Sequence, residues 1–387
     1  MKDADPSSPA FAGGPARPGS AIGHKVQFTG SGREYFRVWI ASVFKPRADW
    51  HKQAQYFSSH TCVAGSPLEF TGTQRGMDRA SRIHALLSLL SLLGLMLLFG
   101  KVTDELAGFL MTFIIFPVLL PQLVADKLRS WRSFSWRGVP LAFAATWQEV
   151  HIASWPVFVI AAIWAGGLAL LRLRSPAFPY LGLSFYAAEF LVLTPLFMIR
   201  LAYNWARLLV TGTRIGGQAG CLNLRYGDFA KPWLLMLGVF LLVWALSTAL
   251  GMALVGNLPP KVVRTPADVT RHALGLVAVV LSLMALLFLP TLVYVKTRMF
   301  QLTWNHIEFG QIAHTTTCLK TAAFVRLRLK HIFLTLLTLG LYHPFAAVST
   351  YATKVNSVTL WVHGDIDQWA GQLAQHQGAP GAAAAGA

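Results

Sequence analysis

The chain has 387 residues, of which 54% are hydrophobic and 13% are charged, and its formal net charge at pH 7 is +17. Soluble globular proteins average about 45–50% apolar and about 25% charged residues, so this composition argues against an ordinary soluble domain. A charge this positive would fit nucleic-acid binding in a soluble protein. Together with the apolar excess it instead predicts the lipid bilayer and its anionic headgroups as partners, with no nucleic acid.

The segment 1–23 is rich in Pro, Gly and Ala and lacks the apolar core of a signal peptide, so we predict a disordered tail. The segment 374–387 has a similar composition and the same interpretation. Between the tails we expect a cytoplasmic or interfacial first unit at 24–82, with a β-hairpin around Gly65. A repeat-built transmembrane domain is predicted to follow at 83–373.

Long uncharged runs dominate that second domain. A helix of about 20 residues crosses a hydrocarbon core of ~30 Å, and six runs approach that length. We predict them as transmembrane helices paired in three hairpins: Ile83–Phe99, Leu106–Ala125, Ile152–Leu171, Tyr180–Ile199, Trp233–Val255 and Ala273–Val295. The expected fold is an all-α polytopic membrane protein.

Lys and Arg are concentrated in the first unit and in the loops predicted at 126–151, 200–232 and 296–331, while the alternate connections hold few. By the positive-inside rule, the N-terminus and these basic loops are predicted to be cytoplasmic in a multi-pass protein of the bacterial inner membrane. The three cysteines, Cys62, Cys221 and Cys318, fall on that predicted side. Their spacing matches neither a disulfide framework nor a zinc site, so we predict reduced thiols, no metal and no cofactor.

One unit recurs five times: a helix meets a proline, a basic and aromatic segment follows, and a glycine comes about 20 residues after the proline. The prolines are Pro46, Pro117, Pro195, Pro290 and Pro344, and the glycines are Gly65, Gly138, Gly216, Gly310 and Gly364. Proline weakens the helix near its exit from the membrane, and glycine permits a tight turn. Each unit is therefore predicted to end in a small β-hairpin-like structure in the cytoplasm.

The last apolar run, Ile332–Tyr342, is too short to cross a bilayer comfortably. A single crossing would place the last unit outside the cell. A short membrane-dipping pair, Leu319–Lys330 and His331–Tyr342, would keep it inside, and the repeat favours this alternative.

Glu189 lies near the middle of a predicted span, where an ionisable group is costly and is a functional hypothesis by default. With Ser184 and Thr194 it could bind a proton or a cation, or it could be a protonated group that joins helices by hydrogen bonds. Glu149 and His151 form a second candidate site at the membrane interface. A simple helix cap explains that pair more economically.

Three segments resemble a known family. They are Phe28-Thr-Gly-Ser-Gly-Arg-Glu-Tyr-Phe-Arg-Val-Trp-Ile40, Leu302-Thr-Trp-Asn305 and Thr338-Leu-Gly-Leu-Tyr-His-Pro-Phe345. On these motifs the chain, from about residue 27 to 369, is similar to the YjgN-like family of bacterial inner-membrane proteins, a domain of unknown function. The resemblance implies a location in the bacterial inner membrane and a class of membrane topology. It does not imply any chemical activity. The first unit departs from it, because Ala41-Ser-Val-Phe44 meets Pro46 without the expected Thr-Leu-Gly-aromatic run.

No HExxH, P-loop or Gly-x-Ser-x-Gly pattern is present, so we predict that the protein is not an enzyme. Kinked helices and a buried carboxylate favour a transporter- or channel-like bundle. The alternative is a non-catalytic membrane scaffold or lipid-interacting factor that acts through its basic loops. Alanines at four-residue spacing, such as Ala161 and Ala165, would suit either packing within the chain or a homo-oligomer.

Overall fold

The computed structural model describes residues 21–44, 46–99, 110–172, 188–256, 275, 277–280, 282–310 and 312–377. Most of both predicted tails, the candidate Ser184 and parts of three predicted spans lie outside these residues. The strands are β1 Ala21–Phe28, β2 Thr61–Val63, β3 Ser66–Phe70, β4 Ser133–Trp136, β5 Val139–Phe143, β6 Thr213–Ile215, β7 Gln218–Ala219, β8 Cys221–Leu222, β9 Ile307–Phe309, β10 Ala313–Thr317 and β11 Val358–His363.

The α-helices are α1 Gly32–Phe44, α2 Pro46–Ser59, α3 Gln74–Phe99, α4 Phe116–Trp131, α5 Trp147–Ala153, α6 Trp155–Arg172, α7 Thr194–Thr211, α8 Tyr226–Gly256, α9 Leu289–Trp304, α10 Thr321–Leu337, α11 His343–Val355 and α12 Ile366–Gln377. Three π-helical segments precede α4, α7 and α9: π1 Met111–Ile115, π2 Glu189–Leu193 and π3 Met284–Phe288. Each is followed by a proline in the first turn of the α-helix, Pro117, Pro195 or Pro290. Proline lacks the N–H for the usual hydrogen bond, so a local widening of the helix is the expected response.

The eleven strands of the described residues belong to one antiparallel sheet in the order β7-β6-β5-β4-β3-β2-β1-β11-β10-β9-β8. The two strands at the ends of this order, β7 and β8, are separated in sequence by Gly220 alone. The chain itself therefore closes the sheet into a ring, which we call the strand ring. Its closure also joins the two ends of the protein, because β1 pairs with β11 in the register Gly23 to Trp361.

The turns of the strand ring coincide with the repeated glycines. Gly65, Gly138, Gly216 and Gly310 lie between paired strands, and all four have positive φ. Gly364, also with positive φ, instead ends β11 before α12. Each of the five repeats of the sequence unit therefore contributes its glycine to a turn or a strand end of the strand ring.

Helices form a second ring beside the strands. Around the circle, α1, α2, α3, α4, the α5–α6 pair, α7, α8, α9, α10 and α11 each pack against the next, and α11 packs against α1. Each strand turn is entered and left by neighbouring helices of this circle, so the two rings have the same order. The strands therefore lie at one end of the helices that flank their turns.

The last helix, α12, fills the centre of the strand ring. Ile366, Trp369, Ala370 and Leu373 share one face at helical spacing and are all buried. They pack against apolar side chains from all five turns, which are Val63, Ala64, Leu68, Trp136, Val139, Ile215, Phe309, Ile312, Ala313, Leu360 and Val362. The strand ring is therefore a packed core.

The predicted all-α fold with six long transmembrane helices in three hairpins is wrong. In the described part of the chain, one helical stretch, Tyr226–Leu250, is long and apolar enough to cross a membrane alone, and 6% of its most apolar window is buried. The pair Trp147–Ala153 and Trp155–Leu168 passes the same test only together, and it is bent by 52°. The count of apolar residues did not predict the fold because π-helical segments and bends interrupt several of the long apolar runs. It also missed the strands, which are too short to give a signal in a hydropathy window.

The boundary predicted inside the C-terminal membrane-dipping pair, between Lys330 and His331, is also wrong. Helix α10 runs without a break through Lys330 and His331, where the two predicted elements were divided. The chain reverses later, at Leu339 and Gly340, which have positive φ. Leu339 is 95% exposed at this turn.

Arg137 ties α12 to the strand ring. Its guanidinium donates to Ser66 Oγ at 2.9 Å and to the carbonyl of Ala64 at 3.1 Å, and it pairs with Asp367 of α12. We expect Arg137→Ala to lower the free energy of unfolding by about 1–2 kcal/mol, because three polar groups lose a charged donor. Denaturation in detergent would measure the change. Arg214→Ala, at an exposed β6 position, is the control and should change stability by less than about 0.5 kcal/mol.

Candidate functional site

Exposed apolar side chains cover the helix ends away from the strand ring. We call this surface the apolar belt. It includes Leu86, Leu89, Leu92 and Met96 of α3, Ile114, Ile115, Val118 and Leu119 of π1 and α4, Val192, Leu196 and Met198 of π2 and α7, Leu242 and Leu246 of α8, and Phe333, Leu336, Leu337, Leu339 and Leu341 of α10 and its following turn. Soluble proteins rarely expose contiguous apolar surface on this scale.

Exposed cations follow the belt toward the strands, and we call them the basic girdle. The girdle consists of Arg33, Arg37, Arg75, Arg79, Arg82, Lys127, Arg207, Lys231, Lys296, Arg326 and Lys330. On α3, α4, α7, α8 and α10 these residues lie between the apolar belt and the strand ring. Such a band can bind phosphate groups by charge-assisted hydrogen bonds.

Glu189 is the most isolated ionisable group among the described residues. It opens π2, its side chain is fully buried, and neither carboxyl oxygen has a hydrogen-bond partner there. Met111 and Met284 occupy the same first position of π1 and π3. Glu189 thus occupies the position at which the other two units carry an apolar side chain. Burying a carboxyl without a hydrogen-bond partner costs stability, so this acid is a candidate functional group.

The other members of the predicted Glu189 cluster are not brought to it. Thr194 Oγ1 accepts a hydrogen bond from Trp164 Nε1 at 2.9 Å, so this hydroxyl joins α6 to α7. Ser184 lies outside the described residues. The candidate site therefore reduces to the Glu189 carboxyl.

The second predicted pair, Glu149 and His151, forms the start of α5. Glu149 Oε2 accepts from the backbone N–H of Thr146 at 2.8 Å, and Thr146 Oγ1 accepts from the N–H of Glu149 at 3.3 Å. This is a capping box, which satisfies two free N–H groups of the helix end. His151 Nε2 lies 3.2 Å from the carbonyl oxygen of Val118 and joins α5 to α4.

A group of cations that we did not predict as a site lies where α9, α10 and α11 meet. The ammonium of Lys354 lies 5.2 Å from the ring centre of Phe300 and 5.5 Å from that of Phe324. Burial lowers the pKa of Lys354, and the charges of Arg328 and Lys296 lower it further. The available signal was a cation one helical turn from an aromatic residue on both α9 and α10.

Comparison with known proteins identifies one family. The sequence model of a family described as bacterial protein of unknown function (DUF898) matches residues 23–387. No curated protein matches the chain, and no solved structure matches it.

Proposed function

The chain belongs to the DUF898 family of bacterial proteins of unknown function, in agreement with the resemblance to the YjgN-like family, and from this premise we propose a role at the membrane. The protein is a non-catalytic, lipid-interacting scaffold of the bacterial inner membrane. Its helix ring is embedded in the bilayer, and its strand ring faces the cytoplasm. The basic girdle is its working surface.

The order of the surfaces carries this proposal. Along the helices, exposed apolar side chains are followed by exposed cations and then by the strands. A bilayer presents hydrocarbon, then anionic phosphates, then water in the same order. The exposed helix Tyr226–Leu250 supports the same placement, because a core helix of a soluble protein would be mostly buried.

The centre of the strand ring favours a scaffold over a channel. Helix α12 fills it with Trp369 and Leu373, whose side chains are 4% and 0% exposed. An axial path for ions or solutes would need this packed core to open. Binding at the outer, basic surface needs no such change.

Transport remains the second candidate function because of one observation, the buried carboxyl of Glu189 without a partner among the described residues. Intramembrane carboxyls of this kind serve proton and cation pathways in transporters. A flux assay in reconstituted vesicles, comparing the wild type with Glu189→Gln, separates the two functions. Solute or proton flux that the substitution abolishes would favour transport.

The native cysteines allow the orientation to be tested without new residues. Cys221 and Cys318 are exposed beside the strands. We expect a membrane-impermeant maleimide to label them in inverted vesicles and not in intact spheroplasts. The control is Leu339→Cys in a cysteine-free background, which should resist the reagent because this turn lies in the apolar belt. Labelling of Cys221 from outside, or recovery of the protein in the soluble fraction, would contradict the proposal.

A further inference from the structure

Three cations converge from three neighbouring helices at the level of the basic girdle. Lys354 of α11 lies against Phe300 of α9 and Phe324 of α10, both within cation–π distance. Lys296 precedes Phe300 by one helical turn, and Arg328 follows Phe324 by one turn. On each helix the cation thus lies one turn from an aromatic ring that contacts Lys354, and the charges of Arg328 and Lys296 lower the pKa of Lys354.

The cluster has shape as well as charge. Arg328 Nη1 donates to Thr350 Oγ1 at 3.2 Å, and Thr350 lies one turn before Lys354 on α11. This hydrogen bond holds the guanidinium of Arg328 against α11, the helix that carries Lys354. Phe324 is 4% exposed and forms a rigid apolar wall beside them.

No carboxylate balances these charges within the described residues. Several carboxylates of these residues pair with cations elsewhere: Glu34 with His60, Asp126 with Arg129, Asp367 with Arg137 and Asp228 with Lys231. Like charges held together without a counter-ion oppose folding, so a bound anion would relieve the repulsion.

A second, independent group lacks a partner at the edge of the cluster. His331 follows Arg328 by about one turn of α10 and is 4% exposed. Its Nε2 lies 3.0 Å from Ser349 Oγ, while Nδ1 is buried and has no hydrogen-bond partner among the described residues. A donor or acceptor is therefore still available about one helical turn from Arg328.

We propose that Lys296, Arg328 and Lys354 form a binding site for the phosphate group of an anionic phospholipid of the inner leaflet. This inference rests on the proposed function, which places α9–α11 at the phosphate level of the bilayer. Arg328 presents the planar fork that matches phosphate oxygens, and Lys354 contributes a point charge. The neighbouring apolar belt of α10, with Phe333 and Leu336, accommodates the start of the acyl chains.

The strand ring supplies a charge-matched control. Lys25 of β1 and Arg214 of β6 are exposed cations outside the basic girdle. The variant Arg328→Gln with Lys354→Gln and the variant Lys25→Gln with Arg214→Gln each remove two positive charges. Non-specific attraction to an anionic surface falls equally in both, so a difference between them measures the site.

The test is lipid binding by purified full-length protein in neutral detergent, with short-chain phosphatidylglycerol as the probe and short-chain phosphatidylcholine as the uncharged comparison. We expect the site variant to raise the apparent Kd for phosphatidylglycerol by roughly 10-fold or more, and the control variant to change it by less than about 3-fold. Lys354→Arg should retain binding because a positive charge that can donate to the phosphate is kept. Equal Kd values for the site and control variants would overturn the proposal.

Two further readouts separate the remaining explanations. The site variant should unfold in lipid-free detergent at the same or a higher temperature than the wild type, because repulsion is removed. A large loss of thermal stability would assign the cluster a structural role instead. Inorganic phosphate that displaces the lipid at equal concentration would assign the site to the free anion and overturn the lipid assignment. Failure of the membrane placement would appear in the cysteine labelling, whereas failure of this site leaves that labelling unchanged.

Discussion

Leu373→Ala is expected to lower the free energy of unfolding by about 3–5 kcal/mol. Leu373 is 0% exposed and belongs to the cluster in which α12 meets the strand turns. The surrounding strands are held by their pairing around the closed ring, so they can collapse only slightly into the cavity. Gln368→Ala, at an exposed position of the same helix, should change stability by less than about 0.5 kcal/mol.

A glycine pair tests the same packing from the opposite side. A Cβ on Gly216 would lie 2.7 Å from Leu373 Cβ and 2.8 Å from its carbonyl oxygen, whereas a Cβ on Gly217 meets no atom within 4 Å. Both residues have positive φ, so alanine strains both backbones by about 1–2 kcal/mol. We expect Gly216→Ala to cost about 1–3 kcal/mol more than Gly217→Ala because α12 must also move.

These stabilities can be measured by chemical denaturation in detergent micelles, followed by the fluorescence of buried tryptophans such as Trp136 and Trp369. Equal costs for Gly216→Ala and Gly217→Ala would show that α12 does not sit inside the ring. A Leu373→Ala variant as stable as Gln368→Ala would have the same meaning.

The turns of the strand ring were predictable because they depend on local backbone chemistry. Gly65 and Gly138 need positive φ, and their neighbours alternate between polar and apolar side chains over a few residues. Closure of the ring depends on pairings such as β1 with β11, which join residues from the two ends of the chain. No local pattern encodes such a pairing.

Helix α12 was missed although its signal is local. Ile366, Trp369, Ala370 and Leu373 repeat at the spacing of an amphipathic helix, and the face they form is buried. The alanine-rich composition that follows them favoured an interpretation as a tail. Composition averages the residue types over a window and hides their order. The helical spacing of these four apolar residues was the signal that predicts the helix.

Glu189 and the cluster around Lys354 also differ in whether the sequence alone reveals them. Glu189 was recognisable because a single acid interrupts an apolar run, which is visible in one dimension. Lys354 was not, because its neighbours Phe300 and Phe324 are contributed by two other helices. A site built from several elements becomes visible only when their order around the ring is known.

Glu189→Met is expected to raise the free energy of unfolding by about 1–3 kcal/mol, the opposite sign to most substitutions. Methionine is the residue at the start of π1 and π3, so the π-helical backbone accommodates its size and shape. The substitution removes a buried carboxyl that has no hydrogen-bond partner among the described residues. Denaturation in detergent at neutral pH would measure the gain.

Glu149→Met is the matched control, because Glu149 is exposed and completes the capping box with Thr146. Loss of that cap should lower stability by about 0.5–2 kcal/mol, so the same chemical change has opposite signs at the two positions. If Glu189→Met and Glu189→Gln both destabilise the protein, the carboxyl is a hydrogen-bonded structural link between helices. If Glu189→Met stabilises the protein and abolishes flux in reconstituted vesicles, the acid is retained at a cost in stability because transport uses it.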